Sequence, residues 1–127
     1  MIGFTSLEIA VLAAICEGQP AAMRDFIETA EVTDRENNGH GFYTLFSVDR
    51  ARPALQMPLR MINGPDAHMN DMGDGMTMGF ILWLDHGYPN CLEGFQFGDA
   101  TGETVDLKQY DLHALTFTRL EPPPAST

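Results

Sequence analysis

The stretch Met78–Gly98, MGFILWLDHGYPNCLEGFQFG, limits the fold of this chain more than any other. Phe80, Ile81, Leu82, Trp83 and Leu84 run without a polar break. An apolar run of that length, bounded by glycine, predicts a strand buried on both faces. Asp85-His86-Gly87-Tyr88 supplies a tight turn, because Gly87 can take positive φ at little steric cost. The chain then returns through Cys91, Leu92, Glu93, Gly94, Phe95, Gln96 and Phe97 as a second strand. With His86 and Gly87 as the loop, Leu82 is expected opposite Cys91, Ile81 opposite Leu92, and Phe80 opposite Glu93. That register puts Glu93 on one face with Phe80, Leu82 and Phe95. A slip of one residue would move it to the other.

The rest of the chain arranges itself around this hairpin. Thr5-Ser6-Leu7-Glu8 is a capping box opening a helix that ends at Gly18. Leu7, Ile9, Val11, Leu12 and Ile15 surround that helix and predict that it is largely buried. Pro20 opens a second helix with Met23, Phe26, Ile27 and Ala30 on one stripe. From Val32 the period becomes two. Val32–Glu36 reads as a polar edge strand, Asn37–Gly41 as a turn, and Phe42–Val48 as an internal strand. Between Asp49 and Pro65, Leu55, Met57, Leu59 and Met61 alternate with polar residues. Pro53, Pro58 and Pro65 break that strand or confine it to an edge. Ala67–Met72 reads as a short strand, Asp106–Tyr110 as one helical turn, and Leu112–Leu120 as a strand with His113, Leu115 and Phe117 on one face.

Helices first and strands afterwards predict an α+β domain. Two N-terminal helices pack on one face of a mainly antiparallel five- to six-stranded sheet. The chain of 127 residues forms a single domain over residues 1–121, and residues 122–127 make a disordered, Pro-rich tail.

Charge narrows the partners. The formal net charge is −11, which argues against binding a nucleic-acid backbone and favours attraction to basic partners. Nine acidic residues and a single base, Lys108, lie between Asn63 and Asp111, whereas five of the seven basic residues precede Asn63. Asp66, Asp71, Asp74, Asp85, Asp99 and Glu103 are therefore the expected contacts with a basic protein. Cys16 and Cys91 read as buried thiols in a reducing compartment. The apolar run at Ile9–Ile15 is too short for a membrane span, and no base precedes Arg24 as in a secretory signal. These features predict a cytoplasmic protein.

No phosphate loop, nucleophile elbow or metal-ligand spacing occurs. Gly39-His40-Gly41 precedes a strand and reads as a turn. Asp66–Asp74 lacks the glycine an EF-hand needs at its sixth position. No metal and no cofactor is expected. Cys91, Glu93 and His86 lie close in sequence, yet His86 falls in the turn and Cys91 reads as a small apolar side chain. Glu93 reads as a structural carboxylate paired with an arginine such as Arg35; its functional reading is a perturbed binding or acid–base group. Met57, Met61, Met69, Met72, Met76 and Met78 read as flexible core filling rather than a pliable contact surface.

Two segments resemble motifs of a group of small uncharacterised bacterial proteins. Arg35-Glu36-Asn37-Asn38-Gly39-His40-Gly41-Phe42-Tyr43-Thr44 matches R-E-x-x-G-x-G-F-x-T. Gly79–Leu84, Gly87-Tyr88 and Leu92–Gly98 match G-F-x-L-x-L…G-Y…L-E-G-F-x-x-G. The resemblance spans about residues 5 to 98, implies a bacterial source and brings no activity with it. By size, charge and build, the chain is also analogous to immunity proteins of toxin systems.

The leading expectation is a non-enzymatic binding protein, in the manner of an immunity protein neutralising a basic toxin domain. A second is a small-molecule binder or enzyme, with a pocket between sheet and helices lined by Tyr43, Trp83, Glu93 and His113. A third is a homodimer paired through sheet edges or the Met-rich segment.

Overall fold

The computed structural model describes residues 2–123. Helix α1, Ser6–Glu17, starts at the capping box foreseen from Thr5 and Glu8. The Glu8 amide donates to the Thr5 hydroxyl at 3.1 Å, and the Thr5 amide donates to Glu8 Oε1 at 2.8 Å. Leu7, Val11, Leu12, Ile15 and Cys16 are buried, but Ile9 and Ala13 are exposed, so this helix is covered on one side only. Helix α2, Ala21–Glu28, follows, with Pro20 at its N-cap rather than at its first helical position. Met23, Phe26 and Ile27 are its buried stripe.

Seven strands follow: β1 Glu31–Asn37, β2 Gly41–Ser47, β3 Met61–Asn63, β4 Asp66–Met69, β5 Thr77–Asp85, β6 Tyr88–Gly98 and β7 Phe117–Glu121. They form one sheet in the order β1-β2-β6-β5-β4-β7, with β3 paired to β5 off that path. Every strand pair is antiparallel. The fold is thus α+β, as expected, but with seven strands where five or six were foreseen. The difference is β3, three residues long, which is all that survives between Asp49 and Pro65. Prolines deny the rest of that segment a ladder.

The second departure is near the C-terminus. Leu112–Ala114 is a turn of 3-10 helix, so Leu112–Leu120 is not one strand, and β7 begins only at Phe117. The Asp111 carboxylate accepts from the His113 amide at 3.0 Å and stabilises that turn. The helical turn expected near Asp106 is present at Leu107–Gln109. The Pro-rich tail lies, from Pro124 on, outside the described residues.

One face of the sheet is covered and the other is not. Phe42, Phe46, Phe80, Leu82 and Leu92 point to the covered face and join Leu7, Val11, Leu12, Met23 and Phe26 of the helices in a single core. Phe4 meets Phe46 edge-on at 5.3 Å between ring centres. Beyond the helices, the segment after β6 completes the cover. Gln96, 4% exposed, holds it there: its amide nitrogen donates to the carbonyls of Val105 (2.8 Å) and His40 (3.0 Å), and its oxygen accepts from the Val105 amide (2.8 Å). Met69, Met72, Met76 and Met78 are buried, as their reading as core filling requires, whereas Met57 is only half-buried and Met61 is exposed and departs from that reading.

The covered face also contains a buried ion pair. Arg35 Nη2 donates to Glu8 Oε1 at 2.7 Å, with the Glu8 side chain fully buried. The Thr44 hydroxyl donates to the other carboxylate oxygen and accepts from Arg35 Nε at 3.2 Å. Arg35 also donates to the Gly3 carbonyl at 3.0 Å. One capping residue thereby fastens α1 to β1 and β2.

Candidate functional site

The central hairpin turns where expected, with Asp85 opposite Tyr88 and both loop residues at positive φ, His86 at 49° and Gly87 at 84°. Its register, however, changes within the first few pairs. Leu84 faces Pro89 but Trp83 faces Cys91, so Asn90 is an extra residue on β6. From there on Leu82 faces Leu92, Ile81 faces Glu93 and Phe80 faces Gly94. The expected pairings of Leu82 with Cys91 and Phe80 with Glu93 are therefore corrected by one residue. A single bulge carries Glu93, Phe95 and Cys91 to the face opposite Phe80 and Leu82. The expectation that β5 is buried on both sides is also corrected, since Ile81 and Trp83 alternate with buried Phe80, Leu82 and Leu84 and look out, half-buried, from the uncovered face.

Cross-strand registry lays out that open face in rows. The first row runs Glu36, Tyr43, Glu93, Ile81, Asn63 from β1 through β2, β6 and β5 to β3. The second runs Asp34, Leu45, Cys91, Trp83, Met61 across the same strands. In the third, Phe95 lies between Gly41 and Gly79. Gly79 is the floor for an aromatic pair: a side-chain carbon there would come within 2.8 Å of the Phe95 and Phe97 rings. Those rings meet edge to face, 5.2 Å between centres and 77° between planes.

An antiparallel sheet with one bare face ordinarily alternates apolar-in and polar-out. This one does not. Leu45, Ile81, Trp83, Cys91 and Phe95 are half-buried on the bare side, Phe97 is 56% exposed and Met61 36%. At the end of β5 the face continues into a groove of about 870 Å³ between residues 54–60 and Trp83–Gly87, where Leu59 is exposed. Acids rim the apolar centre at Asp34 and Glu36 on one edge, and at Asp66 on β4.

Glu93 is the charge in the middle. The Trp83 indole N–H donates to Glu93 Oε1 at 3.0 Å. The carboxylate's charge, followed by burial and hydrogen bonding to it, raises the Tyr43 phenol above its ordinary pKa. The Cys91 thiol is pushed up to about 11, chiefly by burial and then by Glu93 and Glu36. At that value roughly one thiol in ten thousand is ionised at pH 7. Cys91 is thus a poor nucleophile, and the turn residue His86, its side chain 84% exposed, pairs with Asp85 at 3.4 Å.

Tyr43, Trp83 and Glu93 therefore do come together, but on the face away from the helices. His113 does not join them; it is exposed on the 3-10 turn of Leu112–Ala114. The pairing of Arg35 with Glu93 is likewise corrected, because Arg35 lies on the covered face and is taken by Glu8.

The expected acidic contacts divide into groups. Asp71, Asp74, Asp99 and Glu103 share one end of the sheet, where the loops after β4 and β6 touch: the Ala100 amide donates to the Asp74 carbonyl at 2.8 Å. Asp99 serves its own loop, accepting from the Thr101 hydroxyl (2.7 Å), the Thr101 amide (2.8 Å) and the Glu103 amide (2.9 Å), and these bonds lower its pKa. Asp85 sits at the opposite end of β5, eight residue steps or roughly 27 Å away, in an ion pair with Arg50 at 3.0 Å. Asp66 is half-buried on β4, its pKa raised by burial and by Glu121 against the opposing effect of His68.

Among the described residues no group of three or more His, Cys, Asp or Glu side chains is placed to hold a metal ion, and no helix is long and apolar enough to cross a membrane. No protein-family model, curated protein or solved structure matches the chain.

Proposed function

We propose that this chain is a protein-binding module whose open sheet face docks a basic protein in the cytoplasm, with neutralisation of a toxin domain as the specific form of that role. The observation that carries the reading is the inverted outer face: aromatic and aliphatic side chains where an exposed sheet normally places polar ones. Aromatic-rich apolar patches ringed by charge are how partner surfaces are built.

Charge decides between a second copy and a different protein. Pairing two open faces about a two-fold axis would bring two acid-rimmed faces, each with a central Glu93, against one another. Each chain carries −11, so that contact opposes itself. A partner with lysine and arginine around an apolar centre meets both the centre and the rim. The acidic end at Asp71, Asp74, Asp99 and Glu103 then steers approach rather than forming the central contact.

Trp83 is the only tryptophan and stands in this face, so it reports occupancy. The test begins with cross-linked capture from the source organism and purification of the captured protein. That protein should be basic, should shift Trp83 emission saturably, and should bind at least about tenfold more weakly to the Phe97→Asp variant. An acidic partner, or one indifferent to Phe97→Asp, would refute the reading. Self-association of the pure chain in light scattering, abolished by Phe97→Asp, would transfer the face to a homodimer.

A further inference from the structure

Glu93 stands at the centre of an apolar face, and no cation among the described residues reaches it. Arg35, Arg50, Arg52, Arg119, His68 and His86 pair instead with Glu8, Asp25, Asp49, Asp85 and Glu121. What touches Glu93 is neutral. Trp83 donates its indole N–H at 3.0 Å, Tyr43 and Ile81 flank it across the strands, and Cys91 and Phe95 flank it along β6.

In water a half-buried carboxylate whose donors, the Trp83 indole and the Tyr43 phenol, are both neutral is tolerable, because solvent serves its remaining lone pairs. Under a docked protein it is not, because covering an uncompensated charge removes its solvent and puts nothing in its place. A partner that covers this face must therefore bring a cation to that spot. We infer that the face holds a receptor site for one guanidinium group, an arginine side chain of the partner, seated on Glu93 and flanked by Tyr43 and Trp83.

The surroundings select guanidinium over ammonium. A guanidinium is planar and weakly hydrated, and it lies against aromatic rings while donating to a carboxylate. An ammonium on the same spot would surrender a tightly held water shell to an apolar rim. Trp83 contributes twice, by fixing one carboxylate oxygen and by offering its ring. This inference rests on the docking reading of the same face, but its test can fail separately.

The full-length ¹⁵N-labelled chain gives a single indole N–H resonance, and that proton is the one bonded to Glu93. It is titrated with N-acetyl-arginine methylamide, its neutral citrulline counterpart and the lysine compound. The arginine compound should displace the resonance saturably and about fivefold further than citrulline at equal concentration, with lysine between them. Glu93→Gln should remove the difference. Equal displacement by arginine and citrulline in the wild-type chain would overturn the inference, and that comparison needs no variant. Capture of the basic partner separates the two ideas. Capture lost in Phe97→Asp but retained undiminished in Glu93→Gln leaves the docking face standing and overturns the arginine site. An arginine-specific shift with capture indifferent to Phe97→Asp supports the site and overturns the docking face.

Discussion

Two carboxylates on opposite faces of the same sheet show how differently one residue type is used. Glu8 is fully buried and compensated, by Arg35 at 2.7 Å, by Thr44 and by the Thr5 amide. Removing one partner of such a pair strands the other, so Glu8→Ala should cost about 3–5 kcal/mol in urea unfolding, and Glu8→Ala with Arg35→Met should recover much of that loss. Glu93 is uncompensated and acts on its neighbours. Cys91 should be alkylated slowly near neutrality, with a rate that climbs about tenfold per pH unit toward pH 11. Glu93→Gln removes a negative charge and should speed the reaction at pH 8, read by site-resolved mass spectrometry. The linkage has a definite sign. The folded chain holds the Cys91 proton to about 11 against 9.0 unfolded, and Tyr43 is raised in the same direction from 10.0. The Cys91 contribution to stability is therefore complete below pH 9 and is lost as pH rises through 11, and the Tyr43 contribution begins to be lost only above pH 10. The urea midpoint should fall over that window, and fall less in Glu93→Gln.

At the scale of elements, the β5–β6 hairpin was legible as a hairpin and illegible as a register. Strand lengths, the His86-Gly87 turn and the internal position of β5 and β6 follow from hydrophobic runs and turn chemistry. The bulge at Asn90 does not, because an extra residue in a ladder leaves no periodic mark; only the pairing on both sides reveals it. That residue decides whether Glu93 sits in the core or on the open face. Glycines mark where strands and rings come closest. A side-chain carbon at Gly41 would run into the Gly94 carbonyl of the neighbouring strand, which cannot move without opening the β2–β6 ladder. At Gly79 the obstacle is the tip of the Phe95 ring, which can swing into solvent. Gly41→Ala should therefore cost about 1–3 kcal/mol or more in thermal or urea unfolding, and Gly79→Ala clearly less. Gly79→Ala should instead disturb the Phe95–Phe97 pair and weaken partner binding more than stability.

For the whole molecule, the defining property is an α+β layer pair with one sheet face left bare and a net charge of −11. A long-range field of that sign would speed the approach of the basic partner proposed above, and salt screens such a field within about 8 Å at physiological ionic strength. Stopped-flow Trp83 fluorescence with the captured partner should show association slowing about tenfold or more from low to physiological salt, while dissociation changes little. Asp71→Asn with Asp74→Asn should slow association in the same way, since these residues lie at the end of the sheet and not in the central rows.

Local chemistry in the chain settled the elements: the capping box at Thr5–Glu8, the stripe of α2, the glycine turn of the hairpin, the α+β order and the acidic balance. Each depends on residues a few positions apart, whose interactions are the same wherever the segment lies. Tertiary structure alone decided which carboxylate met Arg35, on which side of the sheet Glu93 emerged, and that this side stayed uncovered. Those outcomes depend on pairing between residues tens of positions apart and on one inserted residue, and neither is written in the period of any single segment.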